Sequence, residues 1–166
     1  MSGKLPTLTT DQEFQFTHAP FWKLGIVYSE WNVDITSKLL KACESTLIHL
    51  NIPKEHIFIH KVPGSFELPL GAKWLADKYK ADAIICLGCL IKGETDHDVY
   101  ISQCVSQQLS QLSIHYSIPF IFGVLTTNNH FQAAERAGGT LGNKGEEAAI
   151  SALKMLDLKQ QIDSSS

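Results

Sequence analysis

Four short runs, "LGIVYS" from Leu24, "HIFIHKV" from His56, "DAIICLG" from Asp82 and "PFIFGVLT" from Pro119, constrain this chain more than any other feature. Each is nearly continuously apolar and rich in β-branched or aromatic residues. Such runs predict strands covered on both faces, because a half-exposed strand would alternate. Helical patterns lie between them. Ile35, Leu39, Cys43 and Leu47 recur every four residues, Leu70 and Trp74 share that spacing, and Ile101, Val105, Leu109 and Leu112 make a third stripe. After the last run, "NNHFQAAERAGG" reads as a helix stopped by glycines. "NKGEEAAISALKML" reads as another, with Asn143 as its cap and Glu146 three residues on. Strand and helix alternate throughout, so the expected fold is α/β, a parallel sheet with helices on both faces joined by right-handed crossovers.

A chain of 166 residues supplies one such domain. A hydrophobic fraction of 44% and a charged fraction of 19% suit a soluble globular protein. Net charge is -3, and no stretch clusters Lys and Arg with aromatics, which argues against a nucleic-acid partner. No apolar run approaches the roughly 20 residues of a membrane span, and "MSGKLPTLTTDQEFQFTHAP" lacks a signal-peptide core, so a cytoplasmic protein without a membrane partner is expected. The four cysteines then read as reduced thiols. No repeat or linker divides the chain. Residues 1–20 are expected to be a mobile or subunit-contacting extension, 21–158 a single domain, and 159–166 a polar tail.

Ligands of parallel sheets bind outside the carboxyl ends of the strands. Four loops leave those ends: "SEWNVD", "VPGSFELP", "CLIKGETDHD" and "TTNN". In "VPGSFELP", Ser65 can cap a helix and Pro69 suits a first turn. Glu67 is either a site carboxylate or an acid placed there by the helix dipole. In "CLIKGETDHD", Gly93 permits unusual backbone torsions and Thr95 or Asp96 can open the next helix, whose free N–H groups suit phosphate. His97 would sit in that first turn, able to move protons near neutrality, against the plainer reading of a solvated histidine. Trp31 can stack on a heterocycle or fill the core. Arg136 suits a phosphate, while an arginine ending a helix also compensates its dipole, and Lys144 follows as a second cation. "CLGC" matches the C-x-x-C redox pattern, but Cys86 lies inside a strand rather than at a helix start. Zinc would need four convergent ligands, so no metal is expected.

Together "EWN", "VPGSFELP", "GCLIKGETDHD", "FIFGVLT", "AAERAGG" and "NKGEEAA" resemble the 6,7-dimethyl-8-ribityllumazine synthase family, in its order and spacing, from Lys23 to Leu156. The resemblance implies a flavodoxin-like three-layer α/β/α sandwich with a four-stranded parallel sheet. It implies a homo-oligomer, a pentamer or an assembly of pentamers, with active sites at subunit interfaces. The implied reaction condenses 5-amino-6-(D-ribitylamino)uracil with 3,4-dihydroxy-2-butanone 4-phosphate, using no metal or redox cofactor. By the same resemblance Trp31 stacks on the pyrimidine, with Asn32 beside it. Ser65, Phe66 and Glu67 hold the ribityl chain and nearby polar atoms, and Leu90 and Ile91 give backbone contacts. Glu94 and Thr95 fall in the phosphate turn, with Lys92 a substrate-binding residue just before it, Arg136 completes the turn, and His97 is the proton-transfer residue. Phe122 reaches across the interface and Lys144 lies near the pyrimidine. Two residues depart from the family's pattern: Glu94, where many relatives carry alanine or serine, and Asp98, where an aromatic is usual. A carboxylate beside a phosphate costs about 1 kcal/mol or more, unless the turn binds through its N–H groups with Glu94 facing solvent. Two other classes stay open: a non-catalytic flavin- or pterin-binding protein on the same scaffold, and a C-x-x-C oxidoreductase, which requires a thiol of depressed pKa.

Overall fold

The computed structural model describes residues 14–165. Its strands are β1 (Leu24–Ser29), β2 (Ile57–Val62), β3 (Ala83–Ile91) and β4 (Phe120–Thr127), all parallel, in the order β2-β1-β3-β4. This is the doubly wound order of a flavodoxin-like sheet, which reverses direction between β1 and β3. The connecting helices are α1 (Val33–His49), α2 (Leu68–Tyr79), α3 (His97–Tyr116), the short α4 (His130–Glu135) and α5 (Lys144–Ser164).

Alternation along β3 sorts two cores. Ala83, Ile85, Leu87 and Cys89 face α1 and α5, while Ile84 and Cys86 face α2 and α3. The first core carries the α1 stripe, with Ile35, Leu39, Cys43 and Leu47 fully buried. Each such aliphatic contributes about 1.5–3 kcal/mol of burial. Gly145 is what lets α5 lie this close, since a Cβ there would sit 2.0 Å from the Leu39 carbonyl oxygen. Asn143 caps α5 as expected, its Oδ1 accepting from the Gly145 N–H at 2.8 Å.

Three expectations need correction. Leu70 and Trp74 do not face the core: they are 51% and 61% exposed, and α2 packs through Leu68, Gly71, Ala72, Leu75 and Ala76. The four-residue spacing was right, but the buried stripe is the one anchored on Leu68, on the other side of the helix. Nor is every strand covered on both faces. Only β1 and β3 are nearly buried throughout. β2, at the edge, is half-buried and exposes His60 and Lys61. Ser65 caps nothing: Gly64 precedes a 3-10 turn over Ser65–Glu67, and the Gly64 N–H donates to the Glu67 carboxylate at 2.9 Å.

Between α4 and α5 lies a hairpin not foreseen in the sequence, β5 (Ala137–Gly139) against β6 (Gly142–Asn143). It requires left-handed backbone at Gly138 (φ 110°) and Gly142 (φ 78°), which explains two of the glycines there. Of the expected extension 1–20, residues 1–13 lie outside the described residues. Phe16 and Ala19 are buried in the first core, and α5 carries the polar tail on to Ser164.

Candidate active site

The carboxyl ends of β1 and β3 flank the point where the sheet reverses, and the chain is pinned there. Asn32 ends the β1 loop in left-handed backbone (φ 57°), and its Nδ2 donates to the Cys89 carbonyl of β3 at 2.9 Å. The Glu30 N–H donates to the Val62 carbonyl at 2.8 Å and the Trp31 N–H to the Pro63 carbonyl at 3.2 Å, fastening the β1 and β2 loops together. Buried Thr36 donates its hydroxyl to the Ser29 carbonyl at 2.8 Å, holding α1 to the end of β1.

These loops enclose a cavity of about 520 Å³. Trp31, Asn32, Ser65, Phe66, Glu67, Leu90, Ile91, Thr95 and His97 line it, nine of the residues singled out in the sequence. Trp31 is 73% exposed, so its ring is available to a ligand rather than committed to the core. His97 is the first residue of α3, preceded by Asp96, so free N–H groups of that helix face the turn that contains Thr95. Three more site candidates lie elsewhere. Phe122, Arg136 and Lys144 line a separate recess of about 300 Å³ beside β4 and α5. There Arg136 donates through Nη1 to the Gln132 carbonyl at 3.0 Å, and Lys144 pairs with Glu147 at 2.7 Å. Lys92 and Glu94 are exposed and line neither space.

Two lining residues were missing from the candidate set. Glu147 keeps its second carboxylate oxygen buried without a hydrogen-bond partner. Its spacing of three from Lys144 was a readable helical pair. Asp98 lines the main cavity, also with one oxygen buried and unpartnered. In the sequence it stands out as a departure from the family's pattern, an acid that either acts on the adjacent His97 or is simply exposed.

The redox reading fails on geometry and on chemistry. Residues three apart on a strand point to opposite faces, and Cys86 and Cys89 sit in different cores. Burial raises the Cys86 thiol far above the ordinary range and, with the nearby Asp34 charge, pushes Cys89 up to about 11. A redox thiol needs the reverse. Among the described residues no three His, Cys, Asp or Glu side chains converge as a metal site would require.

The family model for 6,7-dimethyl-8-ribityllumazine synthase matches residues 22–160, which includes every residue of both spaces. The chain belongs to that family. Proteins of that name are similar to it over most of their length. The Cytophaga hutchinsonii protein is 53% identical over 155 residues, covering 93% of this chain and 91% of its own. The Parabacteroides distasonis protein is 46% identical over 148 residues, 87% and 92% of the two chains. That of Bacteroides fragilis is 49% identical over 135 residues, 81% and 94%. As a member of the lumazine synthase family the chain is a transferase of riboflavin biosynthesis.

Proposed function

We propose that the chain makes 6,7-dimethyl-8-ribityllumazine in a composite site, the large cavity of one subunit completed by the Phe122, Arg136 and Lys144 recess of a neighbour. The reaction condenses 5-amino-6-(D-ribitylamino)uracil with 3,4-dihydroxy-2-butanone 4-phosphate, releasing phosphate and water. The observation that carries the composite site is the separation itself. The cavity holds the stacking aromatic and the histidine but, among the described residues, is lined by no Lys or Arg, and the two candidate cations line the other recess.

In this reading Trp31 stacks on the pyrimidine, and Asn32, Leu90 and Ile91 meet its edge. Ser65, Phe66 and Glu67 receive the ribityl chain. The turn carrying Lys92, Glu94 and Thr95 binds phosphate through backbone N–H groups, with the exposed Glu94 side chain in solvent, and the neighbour's Arg136 completes the anion site. The 5-amino group attacks the ketone and, with loss of a first water, gives an imine. Loss of phosphate leaves an enol that tautomerises, and the ribitylamino nitrogen closes the ring with loss of water. His97, at the cavity wall, shuttles the protons. Much of the acceleration comes from holding two reactive partners together, where effective molarities reach roughly 10⁵ M or more. The implied assembly is a homo-oligomer, a pentamer or a shell of pentamers. Among the described residues no helix is long and apolar enough to cross a membrane; the reading takes the enzyme as cytoplasmic, without a membrane or nucleic-acid partner.

The test mixes purified protein with both substrates, without metal or nicotinamide, and follows lumazine absorbance and phosphate release together. Stoichiometric appearance of both, well above the spontaneous rate, is expected. Tight pyrimidine binding without acceleration would instead favour a binding protein on this scaffold.

A further inference from the structure

Asp98 stands in the first turn of α3, where the helix dipole tolerates an anion, and its side chain forms part of the main cavity wall. One of its oxygens is almost inaccessible to water and accepts no hydrogen bond from the described residues. Leaving a buried acceptor unmatched is costly, so a donor that reaches the carboxylate gains more than it would from a solvated one. The second torsion of an aspartate is broad and nearly two-fold, so a small turn presents either oxygen to the cavity. Around it the wall is poor in positive charge. The facing 3-10 turn contributes Ser65, whose hydroxyl oxygen is likewise buried and unpartnered, and Glu67, one of whose oxygens already receives the Gly64 N–H. Among the described residues no Lys or Arg lines the cavity. A carboxylate accepts and never donates when ionised. The carboxylates of Asp98 and Glu67 therefore favour a ligand that donates hydrogen bonds to them.

We infer that Asp98 is a specificity residue, its carboxylate accepting a hydrogen bond from a hydroxyl of the polyhydroxyl chain on the pyrimidine substrate and so orienting that substrate in the cavity. Ser65, with a hydroxyl that both donates and accepts, serves the same chain from the opposite wall. The phosphate-bearing partner is left to the N–H groups near Thr95 and to Arg136. The inference rests on the lumazine synthase reading of the cavity, and it adds a residue that the family resemblance does not supply.

Calorimetric titration of the assembled protein with ribitylaminouracil, and with an analogue whose chain lacks hydroxyls, separates the possibilities. Asp98→Ala is expected to weaken the ribityl compound roughly tenfold to a hundredfold, the loss of a charge-assisted hydrogen bond. The same variant should bind the analogue as the native protein does, and the KM for the butanone phosphate should stay unchanged. Asp98→Asn, which keeps an acceptor, should recover part of the affinity. Equal loss for both pyrimidines, no loss for either, or a loss confined to the phosphate substrate would each overturn the role given to Asp98. Failure of the native protein to bind the ribityl compound would instead bring down the reading of the cavity itself.

Discussion

His97 meets the cavity at the first residue of α3, and among the described residues no other histidine lines it. General acid–base groups typically supply a factor of roughly 10² or more, and the positioning of two substrates survives removal of the ring. His97→Ala should therefore lower kcat about a hundredfold by steady-state assay without abolishing turnover. Undiminished kcat would exclude it from proton transfer. The buried thiols make a second residue-scale prediction. Cys43, Cys86 and Cys89 all have thiols raised by burial above the ordinary value of 9.0, Cys89 to about 11. The unfolded chain releases these protons first as pH rises, so the stability they contribute is complete below about pH 9 and declines above it. Between pH 9 and pH 10 the loss should be about 1 kcal/mol per thiol, read from urea midpoints. Cys86→Ala should flatten the decline, and a midpoint indifferent to pH over this range would contradict the burial of these thiols.

At the scale of elements, the contact between α1 and α5 matters most. Gly145 brings the first turn of α5 onto the backbone of α1, and Asn143 just before it caps the helix. Lys144 sits between them, so the recess that holds Lys144 and Arg136 depends on how α5 seats. The Lys144 N–H also donates to the Arg136 carbonyl at 2.9 Å, tying the two cationic positions across the hairpin. Gly145→Ala would drive its methyl into the Leu39 carbonyl, costing about 3 kcal/mol by overpacking. Thermal unfolding should fall by roughly 6–12 °C. If the melting temperature held, the close packing of the two helices would be wrong.

The whole molecule is where a divided site acquires consequences. Arg136→Ala should raise the KM for the butanone phosphate at least about tenfold and leave pyrimidine affinity intact, as steady-state kinetics and titration would report. An equal loss of pyrimidine affinity would remove Arg136 from the phosphate. If each active site takes His97 from one subunit and Arg136 from its neighbour, co-refolded His97→Ala and Arg136→Ala chains regenerate native sites at random contacts. An equimolar mixture should then recover about a quarter of the native sites, above the activity of either variant alone. Activity equal to the average of the two separate variants would place both residues in one subunit's site.

The alternation of apolar runs and helical stripes settled the α/β class, the four strands, the α1 and α3 faces and the cap at Asn143 from sequence alone, because local periodicity records which side of each element meets the core. The family entered separately, through the resemblance of six blocks, in order, to a known pattern. What periodicity could not decide was anything set by packing between distant segments. Leu70 and Trp74 have helical spacing yet face outward, since the sheet contact fell on the Leu68 side of α2. β2 is as apolar as β1 but lies at the edge, a matter of strand order rather than composition. The division of the site residues between two recesses, and the burial of the unpartnered oxygens of Asp98 and Ser65 in one of them, arise only when loops from β1, β2 and β3 converge. Those distances span dozens of residues, and only the folded sheet brings them within reach.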